Sequence, residues 1–505
     1  MSAGEKRYLH FDFPVGASEA QRMVDSKFKK HVFLPFLTFD ISFKKHPKKI
    51  GINKWQKKFV TKTRPIALAS HHDAVVYSYY ADILNEAYDE YTRVHKIDVS
   101  AIAYRRKNKE RDKRLVDGVL SSTTSAKEVI DYIANSEASY VMRGDFKGFF
   151  DNLNHDYLMH TVKEVVGSIS SDLRTTLKGL MKYRSIKRDE LESILSDQKH
   201  SLAKRRTKDG WIKSYMKSGV ETAEFLKNTN LLSSRNRKGI PQGTSLSAVL
   251  ANVYMVEFDS MVTAEVEKYE GIYRRYSDDF IIVLPSKNLS TKSFVEFTKW
   301  VQGISKGIIR LQIEEKKTQR LFFQNQQFNK IELQDGMNLL SSNPTSLDYL
   351  GFAFSGSTLS LRPKTIYKFQ YRGRRALSKW KTASKYYRRL IKNPNKPDLD
   401  YVDVYRPAPY SLRSYAGNKR RTRAEMELES RKVAYIRQKI KTGKHPDFKG
   451  KLIKGYIGSK PVKRTSLISY GLEVHDIFTA GNPKYKVVVK RQIMRQRNRL
   501  QRGMR

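Results

Sequence analysis

Two β-forming runs in Ile272 to Leu284, IYRRYSDDFIIVL, meet at the polar step Ser277-Asp278-Asp279, a pattern that predicts a tight hairpin with carboxylates at its tip. A short buried strand is predicted over Tyr140 to Asp145, which places a third carboxylate at a strand end. Between them, Gly239-Ile240-Pro241-Gln242-Gly243 reads as a turn. Leu246, Val249, Leu250 and Val253 follow at helical spacing, with Thr244 or Ser245 as the cap. The same 3.6-residue period predicts a helix through Val75, Tyr79, Ile83 and Ala87, after an extended piece that Pro65 ends. Further helices are predicted through Leu158, Val162 and Val165 and around Ser293 to Ile304. A strand is expected over LQIEEKKTQRLFF, followed by SLDYLGFAFSG. The stretch from about 160 to 230, with KHSLAKRRTKDGWIKSYMK inside it, reads as polar, basic helical pattern. Near the C-terminus, strand-like runs at Lys451 to Ile457, Thr465 to Leu472 and Tyr485 to Val489 precede a terminal basic helix.

Charge changes this picture most. Lys+Arg number 97 against 51 Asp+Glu, a net charge of +46, which repels itself unless a polyanion neutralises it. Nucleic acid is the expected partner. A membrane is not, because no run of 18 or more apolar residues occurs and the basic C-terminus lacks an anchoring apolar face. The 505 residues, 39% of them hydrophobic, allow about two to four domains with sizeable cores. Cysteine is absent, which excludes disulfides, thiolate zinc sites and thiol nucleophiles and fits a reducing, cytoplasmic setting. The opening MSAGEKRYLHFDFP has no apolar core of a secretory signal.

Adjacent Asp residues in a turn are ordinary turn chemistry on their own. Here they keep company. MRGDFKGFFDNLNHDYL (Met142 to Leu158), GIPQGTSLSAVLANVYM (Gly239 to Met255) and YSDDF (Tyr276 to Phe280), in this order, resemble polymerase motifs A, B and C of the reverse transcriptases. The resemblance covers roughly residues 60 to 355 and is strongest to the bacterial enzymes of group II introns, retrons and phage defence. It implies an α+β right-hand polymerase with a ferredoxin-like palm, helical fingers and a helical thumb. The boundaries it suggests are an N-terminal cap at 1–60, fingers at 61–140, a palm at 141–356 with a helical insertion at about 160–235, a thumb at 357–440 and a basic C-terminal region at 441–505. No Cys/His nuclease module and no VTG tripeptide of the retron type is present, so the stand-alone defence type is the class expected.

The resemblance also assigns roles. Asp145 and Asp278 would be the bridging metal ligands and Asp279 a supporting one, for two Mg²⁺ ions or Mn²⁺ in their place. Arg64, with Lys62 as the weaker candidate, would meet the incoming triphosphate, and an Arg fork suits phosphate oxygens. Gln242-Gly243 would approach the nucleotide, and a motif D lysine, Lys317 or its neighbour Lys316, would approach the leaving pyrophosphate. Leu350-Gly351-Phe352 matches the primer grip, and AIAYRRKNKERDKR (Ala101 to Arg114) the second fingers motif. Phe150, five positions after Asp145, would lie under the sugar of the incoming nucleotide and leave no room for a 2′-hydroxyl. Beyond Leu361, aromatics from Tyr367 to Tyr387 are interleaved with Lys and Arg, as a thumb along a duplex requires.

The chemistry can be argued from the residues alone. When a 3′-hydroxyl attacks the α-phosphorus of a nucleoside triphosphate, charge builds on both the attacking and departing oxygens. Two hard cations about 3.5–4 Å apart stabilise both, and they want carboxylate oxygens. The partners that the resemblance implies are an RNA template, such as a dedicated non-coding RNA, dNTPs and a DNA product. A template-independent terminal transferase and a group II intron-type maturase remain as alternatives.

Overall fold

The computed structural model describes residues 8–26, 28, 31–45, 49–51, 54–55, 60–105, 121–207, 210–287, 289–334, 337–392, 450, 452–458 and 466–504. The chain begins α1 (Ala17–Asp25), β1 (Phe36–Lys45), β2 (Lys49–Gly51), β3 (Lys54–Trp55), β4 (Val60–Leu68), α2 (His71–Val94) and α3 (Ser122–Asn135). It continues through β5 (Ala138–Asp145), α4 (Phe149–Asn152), α5 (His155–Val166), α6 (Ser171–Met181), β6 (Ser185–Lys187), α7 (Arg188–Asp197), β7 (Ala203–Thr207), β8 (Gly210–Ser214) and α8 (Gly219–Lys227). Next come α9 (Ser245–Val253), α10 (Val256–Glu267), β9 (Ile272–Tyr276), β10 (Asp279–Pro285), α11 (Thr291–Gly307), β11 (Gln319–Gln324), β12 (Gln327–Gln334) and β13 (Met337–Thr345). The last are β14 (Leu347–Tyr349), β15 (Phe352–Phe354), β16 (Thr358–Leu361), α12 (Pro363–Lys392), α13 (Leu467–Thr479), β17 (Lys486–Val487) and α14 (Val489–Arg502). The class is α+β, as the sequence predicts.

Two compact units form. The first comprises Met1–Lys113, Met142–Ile282 and Ser290–Thr318; the second comprises Arg114–Val141, Val283–Leu289 and Gln319–Arg505. The chain passes between them within β5 and within β10.

In the first unit, β1 pairs antiparallel with β4 and parallel with β6. That leaves β4 at the edge, where Pro65 opposite Asp40 needs no ladder donor, so the strand continues through it to Leu68 instead of ending there. Helix α2 starts on Ser70, whose side chain accepts from the Asp73 N–H. Its buried face is Val76, Tyr77, Tyr80, Ala81, Leu84 and Tyr88, and Ile83 is exposed. The face predicted from Val75, Tyr79, Ile83 and Ala87 is thus one step round the helix, because aromatic and aliphatic residues occupy both sides. Phe11 packs with Leu37, Ile186, Leu191, Leu195, Tyr215 and Met216 in one core, so the N-terminal stretch is bound into the fold. The stretch expected to be helical between 160 and 235 also contains the antiparallel hairpin β7–β8, which pairs Ala203 with Ser214 and Arg205 with Ile212. Ala203 and Ile212 are buried, Lys204, Arg206 and Trp211 face out, and Arg205, on the inward face, extends its guanidinium over the Phe13 ring, so cations on both faces hid the inward positions.

In the second unit, β11, β12 and β13 form an antiparallel meander. β14, β15 and β16 form another, to which β17 adds in parallel. The strand expected over LQIEEKKTQRLFF is shorter than predicted: Glu315–Lys317 is a turn of 3₁₀ helix and β11 begins at Gln319. Of the strand-like C-terminal runs, Ile453–Ile457 is a π-helical turn and Leu467–Thr479 is α13, capped by Ser466. Ile468, Gly471, Val474 and Phe478 are buried at helical spacing, a period that a short window cut off. Lys451 and Thr465, and residues 393–449, lie outside the described residues. The terminal basic helix is α14, which buries Val489, Ile493, Gln496 and Leu500 and exposes Lys490, Arg491, Arg495, Arg499 and Arg502. Its partner α12 likewise buries Phe369 and exposes Tyr367, Tyr371, Arg372, Arg374 and Arg375.

Candidate active site

The site is assembled within the first unit. Strands β9 and β10 are joined by the two-residue loop Ser277-Asp278, and Ser277 carries a φ of 59°, the left-handed conformation that such short hairpin loops demand. For a residue with a Cβ this costs about 1–3 kcal/mol and persists only where the surroundings fix it. The fixing group is Arg275, which is fully buried and donates from Nη1 to the Ser277 carbonyl at 3.1 Å. The same guanidinium makes a two-pronged pair with Asp259 of α10, Nε to Oδ1 at 2.8 Å and Nη2 to Oδ2 at 2.6 Å. Tyr273 donates to that carboxylate at 2.7 Å, and Asn252 of α9 accepts from Arg275 at 3.3 Å. Asp259 strongly favours the charged guanidinium despite its burial, so Arg275 keeps its proton at every accessible pH.

Sequence reading missed this lock. Two signals could have found it: Arg275 falls on the inward side of an alternating strand, and Asp259 interrupts the apolar face of Val256, Phe258 and Val262 on α10.

Asp145 is brought to the same place by backbone bonds. The N–H of Phe146 donates to the Asp278 carbonyl at 3.2 Å, and the N–H of Glu314 donates to the Asp145 carbonyl at 2.8 Å. Gly144 precedes Asp145 because a Cβ there would run into the Phe280 ring. Of the two candidate lysines, Lys317 is the one that reaches the site, with Nζ 2.8 Å from Asp145 Oδ1. Asp279 accepts from Arg143 Nη2 at 2.8 Å, an arginine the sequence reading did not single out. The Asp278 carboxyl is pushed up from its ordinary range, chiefly by burial and then by Asp279 and Asp145, with Lys317 acting the other way.

These groups fit a hard cation in a particular way. Among the described residues no three acidic or histidine side chains already stand together as a metal-binding cluster. Asp145 is engaged by Lys317 and Asp279 by Arg143. Mg²⁺ is commonly held through one or two carboxylates plus substrate phosphates rather than by an all-protein cage. Asp145 and Asp278 meet that requirement, and the Lys317 pair, about half exposed on the lysine side, is worth only about 0–1 kcal/mol and so is readily exchanged.

The glycine turn packs against α4, the short helix that follows Asp145. The Gly239 N–H donates to the Leu153 carbonyl at 2.8 Å and the Ile240 N–H to the Phe150 carbonyl at 2.9 Å. A Cβ on Gly239, where φ is 76°, would lie 2.6 Å from the Asp151 and Phe150 backbone, so only glycine permits this approach. Its carbonyl accepts from His155 Nε2 at 2.8 Å and Asn236 Nδ2 at 2.9 Å. The Ala67 N–H of β4 donates to the Gln242 carbonyl at 3.3 Å, while Gly243, at φ 125°, passes close to the Ala67 carbonyl. Thr244 is the residue that caps α9, accepting from the Ser247 N–H.

Phe149 is buried against Phe146, whereas Phe150 is only half-buried. Arg64 is exposed on β4, three residues before Ala67. Lys62 stands on the same strand opposite Phe43, and its side chain lies outside the described residues. Residues 106–114 of the second fingers motif also lie outside them. Leu350-Gly351 forms the turn between β14 and β15 in the second unit, with φ of 41° and 98°.

Residues 183–354 match the family model for Reverse transcriptase (RNA-dependent DNA polymerase). This stretch is similar to the reverse transcriptases. It holds the glycine turn, Asp278, Asp279 and Lys317, and the backbone bonds described above bring Asp145 to the matched segment from outside it. With the match, the α+β architecture is consistent with the polymerase fold. Among solved structures, the chain is similar to telomerase from Candida tropicalis truncated from the C-terminal domain (11% identity, 65% of this chain, 56% of that one, TM-score 0.33). It is similar also to Candida albicans telomerase in complex with a fragment of telomeric RNA (12% identity, 70% of this chain, 53% of that one, TM-score 0.33). The chain spans about half the length of these structures, and likeness at this level carries no argument about function. No curated protein matches the chain.

Proposed function

We propose that the protein is an RNA-directed DNA polymerase that extends a primer by nucleotidyl transfer with two divalent cations. The observation that carries this reading is the convergence of Asp145, Asp278 and Lys317, with the glycine turn bound through Ile240 to α4, the helix that follows Asp145, and through Gln242 to β4. Asp145 and Asp278 would hold the cations, with Asp279 supporting; bound there, Mg²⁺ or Mn²⁺ would stabilise charge on the attacking and leaving oxygens. Lys317 neutralises the departing pyrophosphate once it leaves Asp145, and Arg64 meets the triphosphate from β4. Gln242-Gly243 lines the nucleotide, and Phe150, half-buried while Phe149 takes the core position, selects against a 2′-hydroxyl. Positioning and fixed charge supply most of such catalysis.

Residues 61–140 act as fingers and 141–356 as palm on this reading, and 357–440 as thumb, with 1–60 as cap and 441–505 as a basic extension. The basic faces of α12 and α14 support duplex binding, and the net charge of +46 supports an RNA template. The absence of cysteine supports a cytoplasmic setting. Among the described residues no helix is long and apolar enough to cross a membrane. Within the bacterial enzymes that the three motifs resemble, we place the protein in stand-alone phage defence. Loss of plaque protection in cells carrying Asp278→Asn tests that role, and unchanged protection refutes it.

The enzymatic test is primer extension on RNA and on DNA templates with dNTPs or rNTPs, and with single dNTPs without template. Template-copied DNA is expected, and it should vanish in Asp145→Asn while RNA binding persists. Untemplated tailing by single dNTPs would replace the reading with terminal transfer. Full synthesis by Asp145→Asn would remove the site.

A further inference from the structure

Next to the glycine turn, an open pocket of about 430 Å³ is lined by Tyr183, Ser185 and the run Ser233 to Arg237. Its walls are tied by backbone pairing. The Ser233 N–H donates to the Ser185 carbonyl and the Asn236 N–H to the Tyr183 carbonyl, both at 2.9 Å. Asn236 Nδ2 donates to the Met181 and Gly239 carbonyls, also at 2.9 Å, so the pocket and the turn form one piece. Arg184 Nε braces the same loop by donating to the Ser233 carbonyl at 2.9 Å.

The lining decides what fits. Pockets of about 300–1,000 Å³ that hold small organic ligands are mostly apolar. This one is lined by two arginines, three serines, an asparagine and a tyrosine, with no acidic residue among them. Among the described residues neither the Arg235 nor the Arg237 guanidinium has an acidic partner. Forked, unpaired guanidinium groups are phosphate donors. Asp151 acts on Tyr183, second to burial, and so opposes an anion at the phenol; the phosphate belongs with the arginines. The Tyr183 ring, held edge-to-face by Phe36 at 5.2 Å, is a fixed surface for a base.

We infer that this pocket takes one nucleotide unit of a single-stranded nucleic acid, its phosphodiester held by Arg235 and Arg237. Through Asn236 it fixes that strand in register with the Gly239–Gly243 turn. The inference rests on the polymerase reading, for which the strand is the template.

The test compares Arg235→Ala/Arg237→Ala with Arg174→Ala/Lys178→Ala, which removes the same charge from exposed positions of α6. Binding of a labelled single-stranded RNA is followed by anisotropy across a salt series. The pocket pair should weaken binding about 10- to 100-fold at low salt and reduce the slope of log K against log salt by about 0.7–1. The α6 pair should leave the slope unchanged. Equal slope changes in both pairs would show that net charge alone matters and would overturn the inference. A raised KM for dNTP with intact strand binding would assign the pocket to a triphosphate and overturn it as well. If the unaltered protein extends primers while the pocket pair binds normally, the pocket assignment fails alone. If it extends nothing but the pocket pair still loses its slope, the polymerase reading fails and the strand site stands.

Discussion

Replacing Asp259 with Ala would show whether the buried ion pair holds the Ser277-Asp278 loop. Arg275 is 0% exposed and Asp259 is 1% exposed, so Asp259→Ala leaves a buried guanidinium without its counter-charge. Breaking such a pair from one side costs about 3–5 kcal/mol. Tyr273 also loses its acceptor, but the three groups form one network and their losses do not add. The expected loss is therefore about 3–5 kcal/mol, concentrated where Arg275 grips the Ser277 carbonyl. Native-state hydrogen exchange over Ile272–Pro285, compared with peptides of α6, reads it locally. Arg275→Met should cost a similar amount by stranding the carboxylate, and Asp259→Leu/Arg275→Met less than the two single changes together. A loss under about 1 kcal/mol in either single variant, or strict additivity in the double, would refute the lock.

Asp278→Asn should abolish synthesis and raise thermal stability at neutral pH. A carboxyl whose folded pKa lies above its unfolded value contributes stability below the unfolded value that is lost as pH rises, so removing the charge restores it; a variant that melts lower at pH 7 contradicts this. Phe150→Ala should admit ribonucleotides in primer extension, whereas Phe149→Ala, in the core at 3% exposure, should cost about 3–5 kcal/mol in denaturant titrations; unchanged sugar preference in a folded Phe150→Ala protein removes the selecting role. Burial lowers the His10 imidazole to about 4, against Asp12, which acts the other way. The unfolded chain then binds the extra proton first, and stability falls by about 3 kcal/mol as pH drops from 6.5 towards 4. His72 is raised by its bond to Asp12 and partly offsets this, and His71 is lowered by burial. His10→Gln should flatten the acid limb of limited proteolysis around Phe11, and an unchanged limb would assign the acid sensitivity elsewhere.

The hairpin, the buried strand to Asp145 and the capped α9 were legible because each is a local pattern: alternation, a turn residue or a cap. Lys317 could be separated from Lys316 only by the 3₁₀ turn, which sets their directions and which periodicity does not encode. The Asp259–Arg275 pair and the Arg143–Asp279 contact were hidden for a different reason. They join charges 16 and 136 residues apart on different elements, and a single sequence shows only that polar residues interrupt apolar faces. The β7–β8 hairpin failed to show because its outward positions are cationic, and the α2 face because tyrosines line both sides.

The parallel pairing of β1 with β6 has a consequence for synthesis on the ribosome. Phe36 must wait for Ser185, roughly 150 residues later, which at about 5–20 residues per second is roughly 7–30 s. During that interval β1 can pair with β4, but its other edge stays unfilled, a template for wrong strands. Nascent chains arrested before β6 should therefore aggregate more than chains arrested after it, and the vulnerable period of this protein's life is set by translation speed rather than by the stability of the finished fold.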